Sequence, residues 1–201
     1  MTTLVLPIEL EPGADVFEQL RHMTDDEFYY FCQDNTNLNF ERDANGNIKS
    51  MGQTGAETGE RSSELIAELV IWNRQTKLGF VYDSSTAFRL PNSAVRSPDA
   101  AWVPAERRNA FTPEQRKGFL PLGPDFLVKL VSETDSQKDT EAKMAEYIAN
   151  GCRLGWLINP KTQSVMVYRT NGSVDVITDF SGSLSGEDVL PGFSLALSLL
   201  V

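Results

Sequence analysis

The stretch that decides the fold runs from Ser97 to Gly155: SPDAAWVP at 97–104, PDFLVKLVSETDS at 124–136 and QKDTEAKMAEYIANGCRLG at 137–155. FLVKLV is mostly aliphatic and reads as a buried central strand. In the third segment Met144, Tyr147 and Ile148 recur at helical spacing, with Asp135 placed to cap the helix and Asn150-Gly151 to end it. The helix joins FLVKLV to the next apolar run, RLGWLINP, so those two strands are expected to be parallel. Asp99, Lys129 and Lys143 therefore come from three consecutive elements of a strand, strand, helix unit. One carboxylate and two amines set in this way can hold a metal or imitate one.

Working outward, residues 1 to about 14 hold two prolines and a glycine and read as an extended arm. Thr24 and Glu27 have the spacing of a capping box, which predicts a helix from Thr24 to about Gln33. In LNFERDANGNIKSM, apolar residues flank Asn45-Gly46, a dipeptide suited to the positive backbone angles of a tight hairpin. QTGAETG at 53–59 reads as a loop, and Leu65, Ile66, Leu69, Val70 and Trp72 then mark a second helix with Gly79 beyond its last turn. GFVYDS, TAFRL and PDAAWVP are three short β runs, with a hairpin loop at Pro91-Asn92-Ser93 between the last two. Thr112-Pro113-Glu114 predicts a short helix start. RLGWLINP, SVMVYR and SVDVITDF are strands, and GEDVLPGFSLALSLL is a tail packed on the core. The order predicts a mixed α+β fold without a linker.

The chain has 201 residues, 41% hydrophobic and 23% charged, which suits one domain with its own core. Its apolar runs are too short to span a bilayer, and the start has no basic segment followed by an apolar one, so a soluble cytoplasmic protein is expected. Cys32 and Cys152 stand in no metal or redox spacing and read as free thiols. His22 is the only histidine, which argues against Ser-His-Asp, Cys-His and zinc chemistry. No phosphate-binding loop or dinucleotide fingerprint is present.

The net charge is -10, unfavourable for a polyanion as a whole. Its distribution is uneven: residues 1–60 carry 12 acidic and 3 basic side chains, and residues 89–117 carry 6 basic and 3 acidic ones. Arg89, Arg96, Arg107 and Arg108 are thus candidate phosphate contacts beside Asp99, though ordinary surface arginines would read the same way.

ETGERSSELIAELVIWNRQTKLGFVYDSSTAFRLPNSAVRSPDAAWV, GFLPLGPDFLVKLVSETDS, KMAEYIANGCRLGWLINP and SGEDVLPGF together resemble a large bacterial branch of the PD-(D/E)XK, restriction-endonuclease-like superfamily. The likeness runs from about Met23 to the C-terminus, which divides the chain into an arm and helix start at 1–22 and a single domain at 23–201. The resemblance implies a restriction-endonuclease-like core, a mixed sheet flanked by helices with an N-terminal helix and hairpin, and a Mg²⁺-dependent site that hydrolyses DNA. By position, Asp99 of SPDAAWV matches the family aspartate, a metal ligand. Lys143 of EAKMAEY matches the family lysine, moved here from strand to helix. Glu57 of ETG matches an acid near the first core helix, a supporting metal ligand or a cap.

The departure is at Lys129. Where the family reads VELRSPSD or VEVLSPSD, this chain reads VKLVSETD, so an amine replaces the second carboxylate. That exchange changes the local charge by two units and should sharply reduce affinity for a divalent ion. Lys129 is expected to put its ammonium where the metal would sit and to pair with Asp99. Glu133 or Asp135 would restore a ligand only if the chain bends after Ser132.

Two functions follow. The first is a metal-dependent endonuclease, with Asp99 on Mg²⁺, Lys143 or Lys129 orienting water and the arginines on phosphates. The second is an inactive nuclease fold serving as a nucleic-acid or protein binding module. A homodimer is a third expectation, since such nucleases often pair to cut both strands.

Overall fold

The structure, a computed structural model, describes residue 5 and residues 16–133 and 135–201. The arm expected at residues 1 to about 14 lies outside the described residues except for Val5, whose backbone N–H and C=O both bond the side chain of Asn35.

The order is α1 (Val16–Arg21), α2 (Asp25–Asp34), β1 (Asn39–Arg42), β2 (Ile48–Met51), α3 (Ala56–Thr76), β3 (Gly79–Asp83), β4 (Phe88–Arg89) and β5 (Val95–Arg96). There follow β6 (Ala100–Pro104), α4 (Ala105–Asn109), β7 (Phe126–Leu130), α5 (Gln137–Ala149), β8 (Leu154–Asn159), β9 (Ser164–Arg169) and β10 (Val174–Ile177). The chain closes with β11 (Ser183–Ser185), β12 (Ser194–Ala196) and a 3-10 turn at Leu197–Leu200. The fold is α+β.

The expected unit forms as read. β6, β7 and β8 lie side by side in a six-stranded sheet ordered β10-β9-β8-β7-β6-β3. β7 and β8 are parallel, joined through α5, and the other pairs in that sheet are antiparallel. Side chains alternate across the sheet. Phe126, Val128 and Leu130 join one buried cluster with Leu65, Leu69 and Trp72 of α3. Leu127 joins the opposite cluster with Met144 and Tyr147 of α5. Burying each of these leucines contributes roughly 1.5–3 kcal/mol, so the two helices clamp the sheet from its two faces. The tail covers the α3 face with Leu190, Phe193, Leu195, Leu197 and Leu200.

The N-terminal elements build a smaller four-stranded sheet, β2-β1-β5-β4. Thr24 caps α2 through a full capping box with Glu27, as its spacing predicts. The Asn45-Gly46 hairpin also forms, with Gly46 at φ 84°, where a side chain would be strained. α2 packs Phe28 and Phe31 against Phe40 and Val95 of this sheet.

Five local expectations are corrected. The second helix starts at Ala56 and runs through Gly59, because its face, not its N-terminal composition, sets its length. It ends at Lys77 in the left-handed conformation, whereas Gly79 opens β3, where a Cβ would stand 2.3 Å from the Val103 carbonyl. The Pro91-Asn92-Ser93 loop joins β4 to the short β5, not to β6. Residues 113–117 form turns while AERRN forms α4. Ser136 caps α5 by accepting from the Asp139 N–H, and Asp135 instead accepts from the Ser132 N–H at 2.8 Å.

Candidate active centre and its charge network

Asp99 stands one residue before β6, its backbone N–H bonded to the Val128 carbonyl of the neighbouring strand at 3.0 Å. Alternation places its side chain and that of Lys129 on the α5 face of the sheet. The Lys129 ammonium lies 3.0 Å from Asp99 Oδ1, and the Leu130 N–H donates to Oδ2 at 2.6 Å. Both side chains are mostly covered, 12% exposed for Lys129 and 17% for Asp99. Burial alone would push the Lys129 pKa down. Asp99, with Glu41 and Asp135 farther away, outweighs that and holds it above its ordinary value. The pairing expected from the VKLVSETD departure is therefore present.

Behind this pair lies a second, deeper network. Glu41 on β1 is 2% exposed and accepts from the Lys143 ammonium at 2.5 Å, from Arg96 at 3.3 Å and from the Ser97 N–H at 3.2 Å. Burial would raise the Glu41 pKa, but Lys143 and Arg96 overcome it and hold the carboxyl below its usual range. Arg96 also donates to Glu146 of α5 at 2.7 Å, and Glu146 is held by the Asn92 side-chain amide at 2.9 Å. The N-terminal hairpin thus inserts a carboxylate beneath the sheet, and α5 answers it with Lys143.

Glu41 is the residue that the sequence reading missed. β1 buries Phe40, Glu41 and Arg42 in succession, so the alternation that would assign one of them to solvent fails. A neighbouring Glu-Arg pair within a strand was the only trace of it. Arg42 is accounted for separately: it donates to the Met23 carbonyl, pairs with Asp25 and lies over the Phe28 ring.

The other predicted residues are spread more widely. Glu57 is 83% exposed and pairs with Arg61 on the outer side of α3. It is not among the residues lining the Asp99 cavity; its neighbour Thr58 is. Arg89 bonds Asp25 at 3.0 Å, Arg107 pairs with Asp125, and Arg108 lies 4.3 Å over the Phe80 ring. Of the four arginines, only Arg96 reaches the centre, where it contacts Glu41 and Glu146. His22 is exposed beside Glu18, and both cysteines are free.

Asp99 and Lys129 line a cavity of about 250 Å³, together with Thr54, Thr58, Glu133 and Asp135. Glu133 does come to this cavity, but Lys161 bonds it at 2.8 Å.

The fold agrees with what the chain is similar to. Residues 25–198 match the Uma2 family, described as "Putative restriction endonuclease". The chain belongs to that family. No curated protein sequence matches the chain. Among solved structures it is similar to "a putative nuclease belonging to DUF820 from Anabaena variabilis ATCC 29413", with TM-score 0.71 and 18% identity over 89% of this chain and 97% of that one. At that identity the likeness establishes a shared fold alone; together with the family match it supports a restriction-endonuclease-like superfamily.

The resemblance read from the sequence places a divalent metal at Asp99, an expectation that the residues present do not fit. Magnesium takes hard oxygen ligands in a near-octahedral array. Both Asp99 oxygens have partners, one of them a cation. Among the described residues, no three His, Cys, Asp or Glu side chains converge on a common metal position.

Proposed function

We propose that this Uma2 protein keeps the nuclease fold with a charge-compensated centre and acts as a binding module in place of a metal-dependent endonuclease. The observation that carries this reading is the Lys129 ammonium, 3.0 Å from Asp99 Oδ1. A fixed monovalent cation neutralises the aspartate without supplying open coordination positions, so it cannot lower the pKa of a bound water as a metal does. Internal partners for Arg89, Arg96 and Arg107, with a net charge of -10, favour a protein partner over a phosphate backbone.

A second reading keeps DNA hydrolysis, with Mg²⁺ at Asp99. What favours it is that Asp99 still lines an accessible cavity together with Glu133 and Asp135. It requires Lys129 to leave the aspartate.

The two are separated by nicking of supercoiled plasmid in Mg²⁺ or Mn²⁺, comparing the native chain, Lys129→Glu and Asp99→Ala. The binding-module reading expects no cutting by native protein. Cutting by native protein that disappears in Asp99→Ala overturns it. Cutting by Lys129→Glu alone identifies a latent centre that this chain has switched off.

A further inference from the structure

α2 has the sequence DDEFYYFCQD, and its aromatic residues divide between two faces. Phe28 and Phe31 are buried in the cluster that holds Phe40 and Val95. Tyr29 is only partly buried, and Tyr30 is 59% exposed. With Asp26 they stand at i, i+3 and i+4, which sets the three side chains on one side of the helix. Tyr29 is held in place: its hydroxyl donates to the Lys117 carbonyl at 3.1 Å, and its ring meets Phe119 edge-on at 5.2 Å. Tyr30 in turn rests edge-on against Tyr29 at 5.7 Å, so its ring is positioned without being covered.

Between this face and the loop that follows α4 lies a cavity of about 530 Å³, lined by Tyr29, Tyr30, Phe119 and Pro121. Pockets of roughly 300–1,000 Å³ are the usual size for ligand sites. Three carboxylates and two cations also line it, and their partners can be accounted for one by one. Asp25 is taken by Arg42 and Arg89, and Glu114 by Lys117 at 2.8 Å. Asp26 is exposed and has no hydrogen bond or ion pair among the described residues. Residues 1–15 contain no lysine, arginine or histidine that could supply one.

Exposed tyrosine rings beside one open carboxylate are complementary to a single planar cation. A guanidinium stacks on aromatic faces and donates through a rigid fork, whereas an anion would be repelled by Asp26 and an apolar group would leave it desolvated and unpaired. We infer that this cavity is a docking site for an arginine side chain carried by a segment of a partner protein, its guanidinium stacked on Tyr30 and donating to Asp26. The cavity is larger than one guanidinium fills, and Phe119 and Pro121 supply apolar surface for the arginine stem and the residues beside it. Tyrosine and arginine are also enriched among the side chains that dominate protein interfaces. The surplus of acid over base in residues 1–60, 12 against 3, favours the approach of a basic segment. This cavity shares no lining residue with that of Asp99, so the inference holds whether or not the Asp99 centre cuts.

Asp26 lies in the first turn of α2, where an acid also suits the helix dipole, so the test reads binding and not stability. It is an amide NMR titration of the full chain with an acetylated, amidated pentapeptide that has one central arginine between serine and glycine residues. Native protein is expected to show saturable, millimolar-range shifts at Tyr29, Tyr30 and Phe119, weakened by added salt. The same peptide with citrulline, the neutral analogue of arginine, is expected to give none. Asp26→Asn and Tyr30→Ala should each weaken binding about threefold to tenfold, and Tyr30→Phe, which keeps the ring face, should recover most of what Tyr30→Ala loses. Leu199→Gln, on the C-terminal turn, leaves binding unchanged, and circular dichroism checks that each variant is folded. Equal binding of the citrulline peptide, shifts insensitive to both Asp26→Asn and Tyr30→Ala, or no saturable shift at the cavity overturns the inference. Argininamide that binds as tightly as the peptide assigns the cavity to a free small cation and overturns docking by a protein segment.

Discussion

Asp99–Lys129 and Glu41–Lys143 are both carboxylate–ammonium pairs on the α5 side of the same sheet, yet they differ in how deeply the carboxylate is buried and in how many cations it meets. Asp99–Lys129 lines a cavity, and its carboxylate has one cationic partner and one backbone donor. Glu41 is almost fully covered and has two cationic partners and a backbone donor. The deep network ties the N-terminal hairpin to β5 and α5 and is structural. The shallow pair occupies the place where the sequence resemblance leads one to expect the chemistry. Removing one partner from a buried network leaves the other charges uncompensated, which costs far more than the intact network contributes. Glu41→Gln is therefore expected to destabilise by about 3 kcal/mol, a fall in melting temperature of roughly 6–12 °C for a chain of this size.

The pH dependence of that loss sharpens the assignment. The Glu41 carboxyl is held below its ordinary 4.5 in the folded protein. Its stabilisation is fully present above pH 4.5 and is lost as pH falls through the depressed folded value. Melting curves of native protein and Glu41→Gln should therefore converge as pH drops below 4.5. A gap that stays constant with pH would show that lost packing, not charge, causes the destabilisation.

The shallow pair predicts a smaller and conditional effect. Lys129→Met removes the cation while Asp99 keeps the Leu130 N–H and access to the cavity, so about 1–2 kcal/mol is expected to be lost. Lys129→Glu places two carboxylates together and is less stable than Lys129→Met without metal. On adding Mg²⁺ or Mn²⁺, its melting temperature should rise by several degrees, because only a ligand that binds the native state stabilises it. Native protein and Lys129→Met should not respond. A native response of equal size would mean that Lys129 leaves Asp99 readily, and the reading of a silenced centre would fall.

The contrast also explains how much was legible in the sequence. The β7–α5–β8 unit was readable because its pattern is periodic and its stop at Asn150-Gly151 is local chemistry. Asp99–Lys129 was readable because the two residues lie on adjacent strands and an amine stood where a carboxylate was expected. Glu41 was not, since Lys143 is 102 positions away and β1 is buried on both faces, a property set by how two sheets meet. The phosphate-binding role expected of the arginines rested on composition alone. Arg89, Arg96 and Arg107 prove to be paired with Asp25, Glu146 and Asp125, and no local pattern announces partners that distant. Asp135 was assigned as a cap by residue type, but Ser136 one position later takes that role, an error of the size expected when several polar residues compete for one helix start.

The smallest expected effect lies at the rim of the cavity. Lys161 holds Glu133 at 2.8 Å, and both side chains are well exposed, so the pair contributes little to stability. Lys161→Ala in the native background should leave the melting temperature and the lack of metal response unchanged. Added to Lys129→Glu, it frees a third carboxylate lining the same cavity as Asp99, and the Mn²⁺-induced rise in melting temperature should grow beyond that of Lys129→Glu alone. If the rise stays the same, Glu133 does not reach the ion even when released, and the latent centre is restricted to the two strand positions. If the Lys161→Ala single variant responds to metal, Glu133 and Asp135 bind the ion without Asp99, and Lys129 is not the residue that keeps the cavity metal-free.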